Sequence, residues 1–493
     1  MYSTRSDKGI VSTTEKDASS AAIDILNSGG NAIDAALAAS GVLSVNSQHQ
    51  CGIGGDLFAL IYINNKVYAL NSSGYSGSKL SQYAKHQKEK PLKVFKDQRL
   101  ITIPGAVDGW LAMHKKFGSK PLKIILNRAI ELANDGFPIN QSLLNAINDT
   151  RKSFPENPLN EVNKLGQVFK RPEIAEQLQL ITKINGRDAF YQGVFGDELV
   201  SLTNSFISQK DLQKKQYDWV NPLSYKFKGF KFWTTPPNSQ AFLILEVLKK
   251  IHNEKILFQD IENAQSSVIL QMIKLGQNRD ENLKNYFQIL GSDTNYLCVV
   301  DQKGVGVSLV QSNAHGFGSH LILKKSGVYL HNRGLGFIKN NYEFCPRNNS
   351  RPPHTLCPVI VTKGDQLSTL LGTMGADSQP QIILQAWINN FFLKNVSESL
   401  AMPRWILSGN NKEDLFPFNT WKHTTSKIFL PKLSHELNFS TKILDNFKKT
   451  NFKTLSVHNN SNIFGHCQMI VKKDKFYEGS HDPRSITGLT IGL

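Results

Sequence analysis

The chain alternates between blocks of helical and of extended periodicity. Ala21, Ala22, Ile25 and Leu26 recur at helical spacing. Asp17-Ala18-Ser19-Ser20 before them predicts an N-cap, and Gly29-Gly30 after them predicts the stop. Asn31 opens a second, alanine-rich helix through Ile33, Ala36, Leu37 and Ser40, whose small residues suit close packing. From Leu57 to Ile63 the spacing becomes that of a strand, and Asn64-Asn65 turns it into another at residues 67–70. The middle of the chain, residues 120–290, predicts mostly helices, among them 121–134 and 243–252. The second follows a rigid break at Pro236-Pro237-Asn238-Ser239-Gln240.

Beyond Thr294 the pattern is strand-rich, with runs at 296–301, 305–311, 355–362, 367–372 and 468–471 and one helix over 379–393. The first two runs are joined by the turn-like Asp301-Gln302-Lys303-Gly304. Strands early, helices between and strands late predict an α/β (α+β) fold, a layered sandwich with helices laid on sheets. The polar stretches 408–414 and 424–461 are expected to be surface elaboration. No internal repeat interrupts this order.

Composition adds bounds. The 493 residues are 40% hydrophobic and 20% charged, as in a soluble globular protein. No apolar run approaches the ~18 residues of a membrane span. Residues 1–16 are polar and lack the ~7–15-residue apolar region of a secretory signal, so a cytoplasmic location is expected. Cys51, Cys298, Cys345, Cys357 and Cys467 are scattered and odd in number, which argues against a disulfide framework or a zinc site. The 13 histidines form no HExxH or close Cys/His cluster, so neither a metal nor another cofactor is called for. The net charge of +17 raises nucleic acid or an anionic membrane as partners. The lysines are dispersed among Asn and Gln, however, and no recognition helix, aromatic-basic RNA motif or basic tail is visible. A solvated basic surface is the simpler account, with no nucleic-acid and no membrane partner.

The glycine run Cys51-Gly52-Ile53-Gly54-Gly55-Asp56 precedes a strand, whereas a dinucleotide fingerprint follows one and opens a helix. Set in order with other phrases it carries a different signal. These are Gly29 to Ala36, Gly52 to Asp56, Ile103 to Gly109, Gly136-Phe137-Pro138, Pro236 to Gln240, Thr294 to Asp301, Gly316 to Ser319, Gly465-His466 and Asp482-Pro483-Arg484. Together they resemble the gamma-glutamyltransferase family of N-terminal-nucleophile hydrolases, and nearer its amidohydrolase and acylase branch than its glutathione-cleaving members. The resemblance implies a four-layer αββα sandwich and a precursor that cuts itself between Asp293 and Thr294. The products would be a large segment 1–293 and a small segment 294–493 that stay associated as one intertwined domain.

Taken alone, Thr294 is a β-branched residue at the start of a strand. Under the resemblance it is the nucleophile, and scission gives it an α-amine that serves as its own general base. An α-amine has an ordinary pKa of about 7.7–8.0, close to where a base works best. The resemblance further implies a supporting hydroxyl at Ser312, with Asn313 beside it in reach of substrate. It implies an oxyanion hole from the backbone N–H groups of Gly375 and Ala376. The glutamyl pocket departs from the family pattern: no arginine follows the early hairpin near Tyr75, Arg333 stands close to where an aspartate would hold an amine, and His354 and Thr355 replace paired serines. Tyr75, Arg333, His354 and Thr355 are therefore the candidate substrate contacts. Arg333 and His354 suit an acyl group bearing its own carboxylate. The expected function is formation of an acyl-enzyme on Thr294 and transfer of that acyl group from a small amide to water or an amine. Two alternatives stand beside it: true gamma-glutamyl transfer or glutathione hydrolysis, and a non-catalytic basic binding protein on the same scaffold. Arg351 and Arg404 are further anion-contact candidates, with structural pairing the simpler role.

Overall fold

The computed structural model describes residues 3–256, 258–277, 293–338, 344–408, 432–448 and 453–493. Two seven-stranded sheets face each other. The first has the spatial order Leu489–Gly492, Ile10–Thr13, Asp293–Val300, Gly306–Ala314, Asp56–Ile63, Lys66–Ser72, Asp218–Val220. The second runs Thr4–Ser6, Tyr477–Ser480, Cys467–Lys472, Gln366–Thr373, Val359–Lys363, Phe230–Thr234, Leu223–Phe227. Each sheet draws strands from both sides of Thr294, so neither 1–293 nor 294–493 completes a sheet alone.

Burial on both faces explains why the central strands read as apolar runs. In the first sheet, Leu57, Ala59, Ile61, Leu297, Val299, Val307 and Leu309 pack with helices Lys16–Asn27 and Ala32–Asn46. Residues of the other parity, Phe58, Leu60, Tyr296, Cys298, Val300 and Val310, meet Leu356, Ile360, Leu370 and Ile470 across the gap between the sheets. On the far side of the second sheet, Val359, Val361, Leu371 and Met469 pack with helices Phe242–Asn253, Ile261–Gln277 and Gln379–Leu393. The result is the expected helix-sheet-sheet-helix sandwich.

The second helix is specified locally. Asn31 Oδ1 accepts from the N–H groups of Ile33 (2.9 Å) and Asp34 (3.0 Å), while Asp34 accepts from Asn31 N–H at 3.1 Å. A fourth donor, Ala32 N–H, reaches Asp301 Oδ2 at 2.9 Å. Asp301 Oδ1 meanwhile accepts from Lys303 and Val305 N–H, so one carboxylate shapes the hairpin turn and anchors the helix. At Gly41 a Cβ would lie 2.9 Å from Leu126, which is why this helix carries a glycine at its close approach to a neighbour.

Several expectations need correction. The first helix is capped at Glu15 without a side-chain bond; Asp17 to Ser20 lie inside it, where Asp17 favours the helix N-terminus electrostatically. Residues 121–134 break into Leu122–Ile125 and Asn127–Asp135. The largely helical middle also contributes Asp218–Val220, Leu223–Phe227 and Phe230–Thr234, where Lys226, Lys228 and Lys231 obscure the apolar alternation. The run at 355–362 begins its ladder only at Val359, because Pro358 lacks a donor. Two short strands, Tyr477–Ser480 and Leu489–Gly492, follow the one expected at 468–471. Residues 432–448 are not surface elaboration: Leu433, Phe439, Ile443 and Leu444 are buried against the second helical layer. Of the rest of that expectation, 409–414, 424–431 and 449–452 lie outside the described residues, and 453–460 are mostly exposed, as a surface segment should be. No helix among the described residues is long and apolar enough to cross a membrane.

Burial also fixes a pH dependence. Desolvation pushes His49 and His354 down to about 3, and His315, His320 and His466 down to about 4, from an ordinary value near 6.5. Between those values the unfolded chain binds more protons than the folded one, so stability falls as pH drops below about 6.5. Glu15, raised by burial to about 7, acts in the opposite sense over part of the window but is a single group. Denaturant unfolding at pH 7.5, 6 and 5 should show a lower midpoint at each step. A midpoint constant or rising toward pH 5 would show these rings to be solvated.

Candidate active site around Thr294

Thr294 sits where the two central strands of the first sheet lose register. Asp293 pairs with Ala314 and Asn295 with Gln311, so Thr294 faces two residues, Ser312 and Asn313. Such a bulge re-aims side chains beside it. Tyr296, Cys298 and Val300 face the space between the sheets, and Thr294 shares their parity; Ser312 shares the parity of Val310. The two hydroxyls therefore meet: Thr294 Oγ1 donates to Ser312 Oγ at 3.1 Å, with both residues buried. Asn295, pointing the other way, accepts from Thr14 and donates to Cys51 Sγ at 3.1 Å, which pins the strand behind Thr294.

Ser312 Oγ gathers two further donors, Ala314 N–H at 2.9 Å and Arg333 Nη2 at 3.2 Å. A guanidinium thus stands one hydroxyl away from Thr294. Arg333 is 1% exposed, and its Nε and Nη1 have no hydrogen-bond partner among the described residues. Each buried donor left unpaired costs about 1–3 kcal/mol, so this arrangement is expensive unless something accepts from it. Burial lowers the Arg333 pKa to about 10, against the pull of Asp56 and Asp377, so the group stays charged at neutral pH.

Asp56 is the buried counter-charge. Its Oδ2 lies 3.2 Å from His331 Nδ1, 3.2 Å from His354 Nε2 and 3.7 Å from Arg333 Nε. Burial alone would raise this carboxyl, but the two imidazoles outweigh it and hold it below the ordinary carboxylate range. Leu356 N–H approaches His354 Nδ1 at 3.4 Å, which assigns the proton of the neutral ring to Nε2, facing Asp56. The His354 ring packs edge-on against Phe58. Asp56 Oδ1 has no hydrogen-bond partner among the described residues.

Gly375 and Ala376 follow the end of strand Gln366–Thr373, which approaches the strand of Thr294 at Gly372; a Cβ there would lie 2.4 Å from the Tyr296 ring. Both residues have positive φ, 129° and 47°. Ala376 therefore holds a left-handed conformation that costs a residue with a Cβ about 1–2 kcal/mol. Gln240 Nε2 braces the turn through Ala376 O at 3.0 Å and holds Thr355 O at 3.2 Å. Met374 N–H bonds His466 O at 3.3 Å. Beneath this, Arg404 pairs with Asp482 at 2.5 Å and donates to Phe464 O, while Arg484 pairs with Asp482 and Glu436. Arg404 is thus structural, and the late Gly465-His466 and Asp482-Pro483-Arg484 motifs support the Gly375–Ala376 turn.

The structure thus links Thr294, Ser312, Arg333 and His354 through Asp56. Asp377, next in chain to the Gly375–Ala376 turn, is close enough to act on the Arg333 charge, and Thr355 is buried next to His354. Two candidates are placed elsewhere. The Asn313 amide turns to the loop before the early strand, donating to Gln48 O at 3.1 Å and lying against Gly52 and Gly55. Tyr75 donates to Asp218 at 2.8 Å under the Arg351 guanidinium, beside a separate cavity of about 330 Å³. Sequence reasoning passed over Asp56 and His331. Asp56 closes the glycine run and His331 stands two residues before Arg333, but nothing local marks them as partners. Among the described residues no group of three His, Cys, Asp or Glu is arranged to hold a metal ion.

The gamma-glutamyltranspeptidase family model matches residues 18–279 and 275–491. The chain is 30% identical to the glutathione hydrolase-like YwrD proenzyme of Bacillus subtilis, over 97% of each sequence. It is 25% identical to the oxamate amidohydrolase proenzyme of Klebsiella pneumoniae over 95% of each. The crystal structure of cephalosporin acylase from Bacillus halodurans superimposes with a TM-score of 0.84 at 26% identity, covering 100% of this chain and 97% of that one. With its sandwich fold, its ordered motifs and a family model spanning nearly all of it, the chain belongs to the gamma-glutamyltranspeptidase family.

Proposed function

We propose that the protein is a self-processing amidohydrolase or acyltransferase with Thr294 as nucleophile. The observation that carries this reading is the buried Thr294–Ser312 hydroxyl pair at the strand bulge, one hydrogen bond from the Arg333 guanidinium. In maturation Thr294 Oγ attacks the carbonyl carbon of residue 293. The peptide C–N bond breaks, its nitrogen takes up a proton and an ester remains. Water cleaves the ester, leaving a carboxylate on residue 293 and a free amine on Thr294, with segments 1–293 and 294–493 held together by their shared sheets.

In turnover the amine takes the Thr294 hydroxyl proton as Oγ attacks the amide carbonyl of the substrate. The resulting oxyanion is held by the Gly375 and Ala376 N–H groups, which lie ahead of the first hydrogen bond of their own turn. Collapse returns the proton to the leaving amine, and water or an acceptor amine resolves the acyl ester. Ser312 orients the attacking oxygen and is itself held by a hydrogen bond from Arg333 Nη2.

The acyl donor best matched to the site is a small amide whose acyl half carries a carboxylate, because two buried Arg333 donors have no hydrogen-bond partner among the described residues. The name of the oxamate amidohydrolase relative describes such a compound. A second reading rests on Asp56, whose Oδ1, without a hydrogen-bond partner among the described residues, would take the ammonium of a gamma-glutamyl group while Arg333 takes its carboxylate, as in glutathione hydrolysis.

Thr294→Ala should give a single uncut chain with no amidase activity, and Thr294→Ser should be cut and active at a reduced rate. Cutting of the Thr294→Ala variant at the same bond would remove Thr294 from the mechanism. Arg333→Gln should raise KM for acid amides such as oxamate by ~10–100-fold, the worth of a charge-assisted pair at 1.5–3 kcal/mol, and leave neutral amides nearly unchanged. Equal losses on both substrates would place Arg333 outside the substrate pocket. Rapid turnover of a γ-glutamyl anilide with none of oxamate would favour the second reading.

A further inference from the structure

The end of the sandwich remote from Thr294 carries a second site. Strand Asp293–Val300 runs from the nucleophile to the Asp301 turn, roughly 20 Å at 3.3 Å per residue. There the hairpin turns of both sheets and the end of helix Gln379–Leu393 enclose a cleft of about 970 Å³. That volume lies in the range of small-ligand sites. Five lysines line it, Lys303, Lys363, Lys394, Lys472 and Lys473, against one acid among the described lining residues, Asp474.

The lysines are crowded. Burial and the neighbouring Lys473 and Lys363 together depress the Lys394 ammonium, so like charges are held close with too little compensation. Lys473 is partly offset by Glu478 at 3.1 Å, whereas Lys303, Lys363 and Lys394 are exposed. Aromatic rings hold the ammonium groups at the rim, Lys394 over Phe391 at 4.5 Å and Lys472 over Tyr477 at 4.1 Å. An independent feature points to a ligand rather than to ions alone. Asn390 also lines the cleft, is only 8% exposed, and its Oδ1 has no hydrogen-bond partner among the described residues. The half-buried rings of Phe391 and Phe230 lie in the same wall.

From the clustered ammonium groups, the unsatisfied Asn390 Oδ1 and the aromatic wall, we infer that this cleft binds a nucleoside polyphosphate, with phosphates on the lysines and the flat, hydrogen-bonding base at Asn390 along the aromatic wall. Nothing in the chemistry at Thr294 requires this site, so it stands independently of the reading above.

Titration calorimetry of the full-length protein with metal-free ATP, tripolyphosphate and adenosine tests it. ATP should bind once per chain, at least about tenfold tighter than either fragment ligand, and weaken several-fold between 50 and 300 mM NaCl. The double variant Lys363→Glu/Lys394→Glu, at two exposed positions, should weaken ATP by about tenfold, two surface ion pairs at up to ~1 kcal/mol each. Asn390→Ala should weaken ATP but not tripolyphosphate, with its thermal unfolding recorded alongside. Absence of ATP binding, indifference to the lysine variant, or tripolyphosphate binding as tightly as ATP would each overturn the proposal.

Discussion

The two-against-one pairing at Thr294, in the centre of the first sheet, is the constraint on which the site depends. Strands Asp293–Val300 and Gly306–Ala314 are locked below it by a regular ladder from Asn295–Gln311 to Val300–Gly306. Their side chains are buried on both faces, so a slip of one residue would exchange the helical core for the inter-sheet core and is excluded. The offset is therefore confined to the strand end. It leaves two hydroxyls of opposite strands facing each other where the second sheet, at Gly372, comes close enough to touch the Tyr296 ring.

Around that pair the charges form one economical set. A single carboxylate, Asp56, faces two imidazoles and a guanidinium, and none of the four is exposed to a useful degree. Removing one partner from such a group leaves buried charge uncompensated, which costs several kcal/mol. Neutral His354 donates to Asp56, Asp56 offsets Arg333, and Arg333 reaches Ser312 while keeping donors in reserve. The polarity of the site is thus fixed by groups that are distant in sequence and rigid in space.

Much of this was legible beforehand, and the boundary is physical. The Asn31 cap, the helix at 379–393 and the hairpin around Asp301 rest on neighbours within a few residues, so local pattern suffices. Thr294, Ser312, Arg333, His354 and the Gly375–Ala376 turn were named from ordered motifs, and the fold links the first four through Asp56. Asp56 and His331 escaped because their significance lies in contacts across some 275 and 300 residues. Asn313 and Tyr75 point to other partners for a related reason: motif order says which segment approaches a site, whereas strand parity and a side chain's own partners decide where it points. The strands between 218 and 234 were hidden by lysines on their solvent-facing positions.

Trapping the acyl-enzyme is the most direct test of the account. Acid-quenched enzyme, taken during steady turnover of a slow amide, would be digested and its peptides weighed. The account predicts the acyl mass on the peptide that begins at Thr294, attached to the side-chain oxygen of a free N-terminal threonine. An adduct on any other residue, or an unmodified peptide that still runs through Asp293–Thr294 in fully active enzyme, would contradict it.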